Sequence, residues 1–564
     1  MLKKKTAFIL ALILTLSTVM GCGSNEGSGK ESGDTDTQIQ TQSLSEAGTD
    51  FGEVDTSERI TLTVCISDMS EASYLYEDNE FTQYICDLNN IDLEFVTIPT
   101  STGDAGKAEQ LALLMSSGTY PDIIFRSGFT LAEQKLYGKS GMLINLYPLY
   151  EEYGDNFKRA YEEYPEALEG FMVGEKEIYD LPSVNDCYHC AGTMKAWVYE
   201  PWLEALDLKE PTTLDEYKAM LIAFTTEDPN GNGINDELGL VGYFNGWESD
   251  VVDWVMQSFV YPKEYVGEDG QIILPYTTDA YKDGLAYLKE LYDEGLIYPE
   301  SFTLDYEKTI QLSESSEDVI IGTSFGGYQG NWIRSLNMEE DNIDWYNYIT
   351  LAPLEGYDNQ EVYSFYNPYD NFYASFSITD ACEDPVRAFL LADSMMSAEA
   401  QYKQIGKEGV VWEYVDDPAI LGLNGEPALY QYIVRDDTTN PDTWNGNALS
   451  FRTDEYRLGT PYVEGDGNSM LEKTLYDATA KSVAPYYLPG DMLLPDLALD
   501  EADASEIALI ETSLNDYLIE MKAAFITGER DLETYWDTYL SELDKIGISR
   551  WLEIKQSALD ERNN

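Results

Sequence analysis

ITLTVCI, residues Ile60–Ile66, alternates side chains to the two faces of an extended chain, the period-two pattern of a β-strand. Working outward, Phe81, Tyr84, Ile85 and Leu88 follow at helical spacing, and Ile91–Ile98 is again strand-like. Gly106–Ser117 predicts a second helix with Leu111, Leu114 and Met115 inward, and Asp122–Phe125 a short buried strand. Strands alternating with helices imply a parallel α/β sheet. Ligands of open α/β sheets collect beyond the carboxyl ends of the strands. Arg126 and Ser127, directly after the third strand, are therefore placed at a cleft edge.

The chain of 564 residues is long enough for two or more lobes with sizeable cores. A hydrophobic content of 43% and a mean hydropathy of −0.34 suit a globular protein and exclude a multispanning membrane protein. The 34 basic residues against 104 acidic ones give a net charge of −70. Such a surface repels phosphate backbones and anionic lipid, which argues against nucleic-acid partners. It also weighs against polyanionic substrates such as alginate or pectin fragments.

Lys3-Lys4-Lys5 followed by the apolar run Ala7–Leu16 has the build of a secretory signal peptide, residues 1–21. Val19-Met20-Gly21-Cys22 resembles a bacterial lipobox, whose cysteine thiol carries diacylglycerol after cleavage. Cys22 is thus the expected lipidation site, holding the protein on the outer face of the cytoplasmic membrane. Residues 22–57 are polar, rich in Gly, Ser and Thr and without periodicity, as expected of a lipidated, disordered tether.

The stretch PTTLDEYKAMLIAFTTEDPNGNGINDE, Pro211–Glu237, carries a metal signal. Thr213 and Glu216 have capping-box spacing, and Leu214, Tyr217, Met220, Leu221 and Phe224 share one helical face. Asp228, Asn230 and Asn232 then alternate like the first three ligands of a calcium loop, with Gly233 at the sharp turn. Ile234 can offer its carbonyl. The glutamate that closes an EF-hand is missing, since Gly239 stands there, so Asp236 and Glu237 have to complete the shell. A metal-free Gly/Asn/Asp turn is the alternative; magnesium suits so many protein oxygens less well than calcium.

This stretch resembles a segment of the family 1 extracellular solute-binding lipoproteins of bacterial ABC carbohydrate importers, in the large subgroup with a calcium loop. The resemblance continues in order through EQLALLMSSGTYPDIIF, GMLINLYPLYEEY (Gly141–Tyr153), YKDGLAYLKELYDEGLIYPE (Tyr281–Glu300), YITLAPLEG (Tyr348–Gly356) and the tail Ala523–Leu559. It implies an α/β, two-lobed, periplasmic-binding-protein-like fold with a hinge and an interlobe cleft, and a structural calcium remote from the sugar. By analogy, residues 58–182 and 355–417 form lobe one, and residues 183–354 and 418–564 form lobe two. The implied function is capture of an oligosaccharide and its delivery to ABC permease subunits with a cytoplasmic ATPase, by a monomer that performs no chemistry. A surface glycan-binding lipoprotein serving a sensor or enzyme is the alternative, and a secreted glycoside hydrolase a further one.

Sugars combine apolar faces that pack on aromatic rings with hydroxyls that need polar partners. Aromatics beside glycines or crossovers are the candidates: Tyr243, Trp247 and Trp254 after the metal loop, Tyr328 and Trp332 after Gly326-Gly327, and Trp412 after Gly409. Arg126, Ser127 and Asn371 are the polar candidates. Trp202, Trp536 and Trp551 lie on helical faces and read as core.

Gly322-Thr-Ser324-Phe-Gly326 fits a nucleophile-elbow pattern, but the single histidine, His189, precedes it rather than following in the usual order. Cys187-Tyr-His189-Cys190 offers three soft ligands where zinc wants four. A disulfide, a redox pair and two buried thiols all remain open there, whereas Cys65, Cys86 and Cys382 read as core residues.

Overall fold

The computed structural model describes residues 54–68, 76–99, 103–334, 343–434, 443–444 and 446–563. The predicted signal peptide and Cys22 lie outside the described residues. Ile60–Ser67 is the first strand, and it pairs in parallel with Ile91–Ile98 and Ile123–Phe125. They belong to a six-stranded sheet ordered Phe451–Arg452, Leu181–Asn185, Phe372–Ile378, Ile123–Phe125, Ile60–Ser67, Ile91–Ile98. A second sheet of four strands is ordered Tyr348–Leu351, Ala196–Tyr199, Ile321–Phe325, Leu238–Val241. Each sheet has its own core. The first buries Phe125, Leu146, Phe157, Phe376 and Phe389; the second buries Trp197, Trp202, Phe224, Ile321 and Phe525. The molecule is therefore an α/β protein of two lobes.

The sheets are mixed rather than parallel, and the chain path explains why. Leu181–Asn185 ends at the carboxyl edge of the first sheet, and the chain passes into lobe two as Ala196–Tyr199. A strand that enters at the carboxyl edge must run away from it, and Ala196–Tyr199 is antiparallel to Ile321–Phe325. The return path from Tyr348–Leu351 to Phe372–Ile378 repeats this, placing an antiparallel strand in the first sheet. A third crossing leaves from Phe451–Arg452, parallel to Leu181–Asn185, toward the helix Gly467–Ser482, whose Leu475 and Ala478 join the second core.

These paths depart from the boundaries read by analogy. Leu181–Asn185 runs through the division at 182/183, and Phe451–Arg452, within 418–564, pairs in the lobe-one sheet. The stretch expected to be tether, 22–57, is already pinned at its end: Val54 packs on the first core, and Arg387 Nη1 donates to the Asp55 carbonyl at 3.1 Å. Polar composition hid an anchor made by main-chain carbonyls.

Local signals are mostly as the sequence implies. The helix Leu214–Thr226 starts with Thr213 Oγ1 accepting from the Glu216 amide at 3.1 Å. The reciprocal half of the capping box is displaced by one residue, because Glu216 accepts from the amide and hydroxyl of Thr212 instead. Trp202, Trp536 and Trp551 are buried in the second core, on the helices Glu200–Ala205, Leu532–Ile546 and Ile548–Arg562. Burying one such ring contributes about 2–3 kcal/mol, which outweighs the helix propensity of any single residue. No helix among the described residues is long and apolar enough to cross a membrane.

Candidate functional site

All three crossings leave from the carboxyl edges of the sheets, where ligands of such folds collect. On lobe one that edge carries Arg126, held in the left-handed region at φ 52° with its amide donating to the Ser375 carbonyl at 2.8 Å. A non-glycine residue in that region stores strain, a feature that clusters at binding sites. The Arg126 guanidinium lies over the Tyr373 ring, 4.0 Å from its centroid. Ser127, by contrast, is buried, donating to Asp180 and accepting from the Phe129 amide at 3.1 Å. Asn371 is buried too, accepting from the Cys187 amide at 3.2 Å and donating to Asp186 at 2.9 Å. Both are spent on holding the crossings, so the structure withdraws them from the ligand-contacting set.

On lobe two the chain after Leu238–Val241 and the chain after Ile321–Phe325 meet. Trp247 is 43% exposed, and its ring lies 5.7 Å from that of Tyr328. Gly327 makes the approach possible: a Cβ there would fall 2.6 Å from the Trp247 ring. The Trp247 carbonyl accepts from Asn331 Nδ2 at 2.8 Å. Behind the loop, Asp253 Oδ1 and Oδ2 meet Lys522 at 2.5 Å and Lys263 at 3.2 Å. Desolvation alone would raise the Asp253 carboxyl, but the two lysines hold it down to about 2. A buried charge cluster thus fixes the loop that presents Trp247.

The remaining aromatic candidates are packed. Trp332 is 0% exposed against Tyr348, and Trp254 is buried between Phe325 and Tyr217. Trp412 is 1% exposed, stacked on Tyr402 with its indole N–H on the Gly406 carbonyl. Tyr243 is buried, its backbone tied to Ser249. Each offers no free face, so these four are corrected from ligand platforms to core. Tyr373 and Arg452 were not picked out, because a lone Tyr or Arg beside a short strand has no spacing signature.

The first crossing carries the disulfide Cys187–Cys190. His189, inside it, is buried and held neutral: desolvation first, then Lys195 and Arg457, push its imidazole down to about 3. Its 3.8 Å approach to Glu472 is therefore not an ion pair. Lys195 is buried, donating to the carbonyls of His189, at 3.2 Å, and Gly192. The crossings brace one another: the Asn367 amide donates to the Ala191 carbonyl at 2.8 Å, and Tyr366 stacks on Tyr487 at 4.2 Å. Ser324 is buried within the strand Ile321–Phe325, opposite Trp197, and is not at an elbow. Cys65, Cys86 and Cys382 are buried free thiols, pushed up to about 12, about 11 and about 12 by desolvation.

Between the helix Leu214–Thr226 and the strand Leu238–Val241, the oxygen-rich loop turns through positive φ at Asp228, Gly231 and Gly233. Asp228 Oδ2 accepts from the Gly233 amide at 3.1 Å, and Asn232 Oδ1 from the Ile234 amide at 2.7 Å. Asn230 and Asn232 direct their amides at Asp236 Oδ1, at 3.4 and 3.3 Å. Glu237 is buried, with neither carboxylate oxygen hydrogen-bonded. Burial first, then the charges of Asp228 and Asp236, raise its carboxyl. A buried carboxylate without donors, beside two more acids, fits an oxygen-seeking cation.

No family model matches the chain. It is 25% identical over 473 residues to FusA of Streptococcus pneumoniae, a fructooligosaccharide ABC transporter substrate-binding protein, spanning 80% of this chain and 82% of FusA. It is 25% identical over 445 residues to lipoprotein LipO of Bacillus subtilis, spanning 77% of this chain and 80% of LipO. The structure of FusA with kestose superposes with a TM-score of 0.65 over 90% of this chain and 99% of FusA, at 22% identity. FusA has also been solved as an EF-hand mutant with fructo-nystose. An HMO-binding, ABC-transporter-associated solute-binding protein of Bifidobacterium longum infantis superposes at a TM-score of 0.70 over 90% of this chain and 99% of its own, at 20% identity. The chain is a relative of the substrate-binding proteins of carbohydrate ABC transporters and carries their two-lobed α/β fold.

Proposed function

We propose that the protein captures an oligosaccharide between its lobes and delivers it to ABC permease subunits coupled to a cytoplasmic ATPase. The observation that carries this reading is the exposed Trp247 ring beside the half-buried Tyr328 at the carboxyl edge of the lobe-two sheet. A half-exposed indole, immobilised through its backbone and by a glycine beneath it, is pre-organised for the apolar face of a sugar ring. FusA, similar over most of its length, is named for the same task. The protein binds and performs no chemistry: Ser324 is locked in a strand and His189 is enclosed by the disulfide loop. Asp228, Asn230, Asn232, Asp236, Glu237 and the Ile234 carbonyl hold one structural calcium, a reading supported by the unpaired Glu237 oxygens. Cys22 is the lipidated amino terminus, which keeps a monomeric binder at the extracellular face of the membrane where the permease waits.

Calorimetry against a glycan panel tests the reading. Trp247→Ala is expected to weaken sugar binding by about 1–3 kcal/mol, the scale of a buried hot-spot aromatic. The melting temperature should stay near wild type, because the ring is 43% exposed in the free protein. Unaltered affinity in the variant, or turnover of any glycan by the wild type, overturns it.

A further inference from the structure

Two arginines flank Tyr373 at the carboxyl edge of the lobe-one sheet. Arg126 covers its ring at 4.0 Å. The Tyr373 hydroxyl hydrogen-bonds Ser450 Oγ at 2.8 Å, and Arg452 follows two residues later on the same extended stretch, hence on the same face. Arg452 lies among Tyr456, Tyr373, Tyr432 and Tyr430. Among the described residues neither guanidinium has an ion-pair or hydrogen-bond partner, and Arg126 Nη1 and Arg452 Nε are buried without an acceptor. Several other arginines in this acid-rich chain are matched. Arg59 meets Asp87 and Asp92, Arg550 meets Asp503, Glu506 and Glu553, and Arg387 donates to four carbonyls.

Burying a guanidinium N–H without an acceptor is costly. Among the described residues no acidic side chain is placed against these two. Ligand oxygens are the acceptors that would complete them, and the planar donor fork of arginine matches a carboxylate. Resting on the glycan-capture reading, we propose that the oligosaccharide is acidic, with a uronic-acid carboxylate docking at Arg126 and Arg452 beside Tyr373. The net charge of −70 does not oppose this at the site. Exposed charges are screened beyond roughly 8 Å at physiological ionic strength, so groups in contact with the ligand decide. The overall charge instead slows the approach of a polyanion.

The test uses the mature chain at fixed calcium, with calorimetry on short oligogalacturonates and oligomannuronates and on the carboxyl-reduced, neutral counterpart of each. Sulfated galactan oligosaccharides and a neutral glycan panel complete the set. At least one uronate is expected to bind about 10-fold or more tighter than its reduced counterpart, on the scale of a charge-assisted pair. R126Q and R452Q should each collapse that ratio toward one. Melting curves verify folding; should R452Q fail to fold, R126Q alone reads the ratio. In the wild type, added salt should weaken uronate binding and leave the reduced sugar unaffected. Equal or tighter binding of reduced sugars, or tighter binding of sulfated ones, overturns the carboxylate and leaves glycan capture standing. Binding of no glycan at all overturns both.

Discussion

Asp180 is buried and accepts four hydrogen bonds, from the hydroxyls of Ser127 and Ser377 and the amides of Ser375, at 2.6 Å, and Phe376, at 3.0 Å. It ties the turn bearing Arg126 to the strand bearing Tyr373. Desolvation outweighs these bonds and lifts its carboxyl from 3.8 to about 6. A carboxyl raised by folding favours the folded state below its unfolded value, and that contribution is lost as pH climbs through the folded value. Over that window, from pH 4 to about 7, the linked change is on the order of 3 kcal/mol. Asp180→Asn keeps the oxygen that accepts the two amides, and the serine hydroxyls can rotate to accept instead of donate. Urea denaturation should therefore show the variant gaining on wild type by about that amount between pH 4 and pH 7. A difference that stays constant with pH would refute it. Asp180 left no trace in the sequence reading, which registers a residue type but not its burial. Trp247, Trp254, Trp332 and Trp412 show the same limit: all four sit near glycine or loop sequence, yet only Trp247 is exposed.

At the scale of elements, the turn of the oxygen-rich loop was legible because its chemistry is local. Alternating oxygen donors and a glycine turn are written consecutively, and the turn indeed falls at Gly233 with positive φ. The mixed strand directions were not legible, because they follow from crossings between lobes that no local pattern encodes. The loop makes an opposite-sign prediction. On the proposed calcium reading a bound cation would satisfy Glu237; without one, this buried carboxylate has no donor. Glu237→Gln should accordingly melt below wild type in calcium and above it in chelator. Chelator should lower the wild-type melting temperature, since a ligand at 100 times its Kd stabilises the fold by about 2.7 kcal/mol. Asp228→Ala should abolish that response. A chelator-insensitive wild type would remove calcium from the loop.

At the scale of the molecule, the three crossings seen among the described residues set what the lobes can do. They leave from the same sheet edges and are stitched by Asn367–Ala191, Ser364–Tyr486 and the Tyr366–Tyr487 stack. The disulfide closes a loop inside one crossing, between residues three apart, and does not bolt one crossing to another. It stiffens a strap without locking the hinge. The two-lobed plan was read from the order of resembling segments; the third crossing near Arg452 was missed because Phe451–Arg452 is too short for any period to register. With a ring platform on one lobe and unpaired guanidinium groups on the other, a sugar that contacts both gains only if the lobes approach. Ligand binding then shifts the population toward a closed form by its differential affinity for that form. Small-angle scattering should show the radius of gyration falling on addition of a bound sugar, with forward scattering unchanged if the protein is the proposed monomer. The decrease should persist after mild reduction of Cys187–Cys190, since that bond spans no interlobe gap. A radius unchanged by saturating sugar would mean that the cleft is pre-closed and that the hinge plays no part in capture.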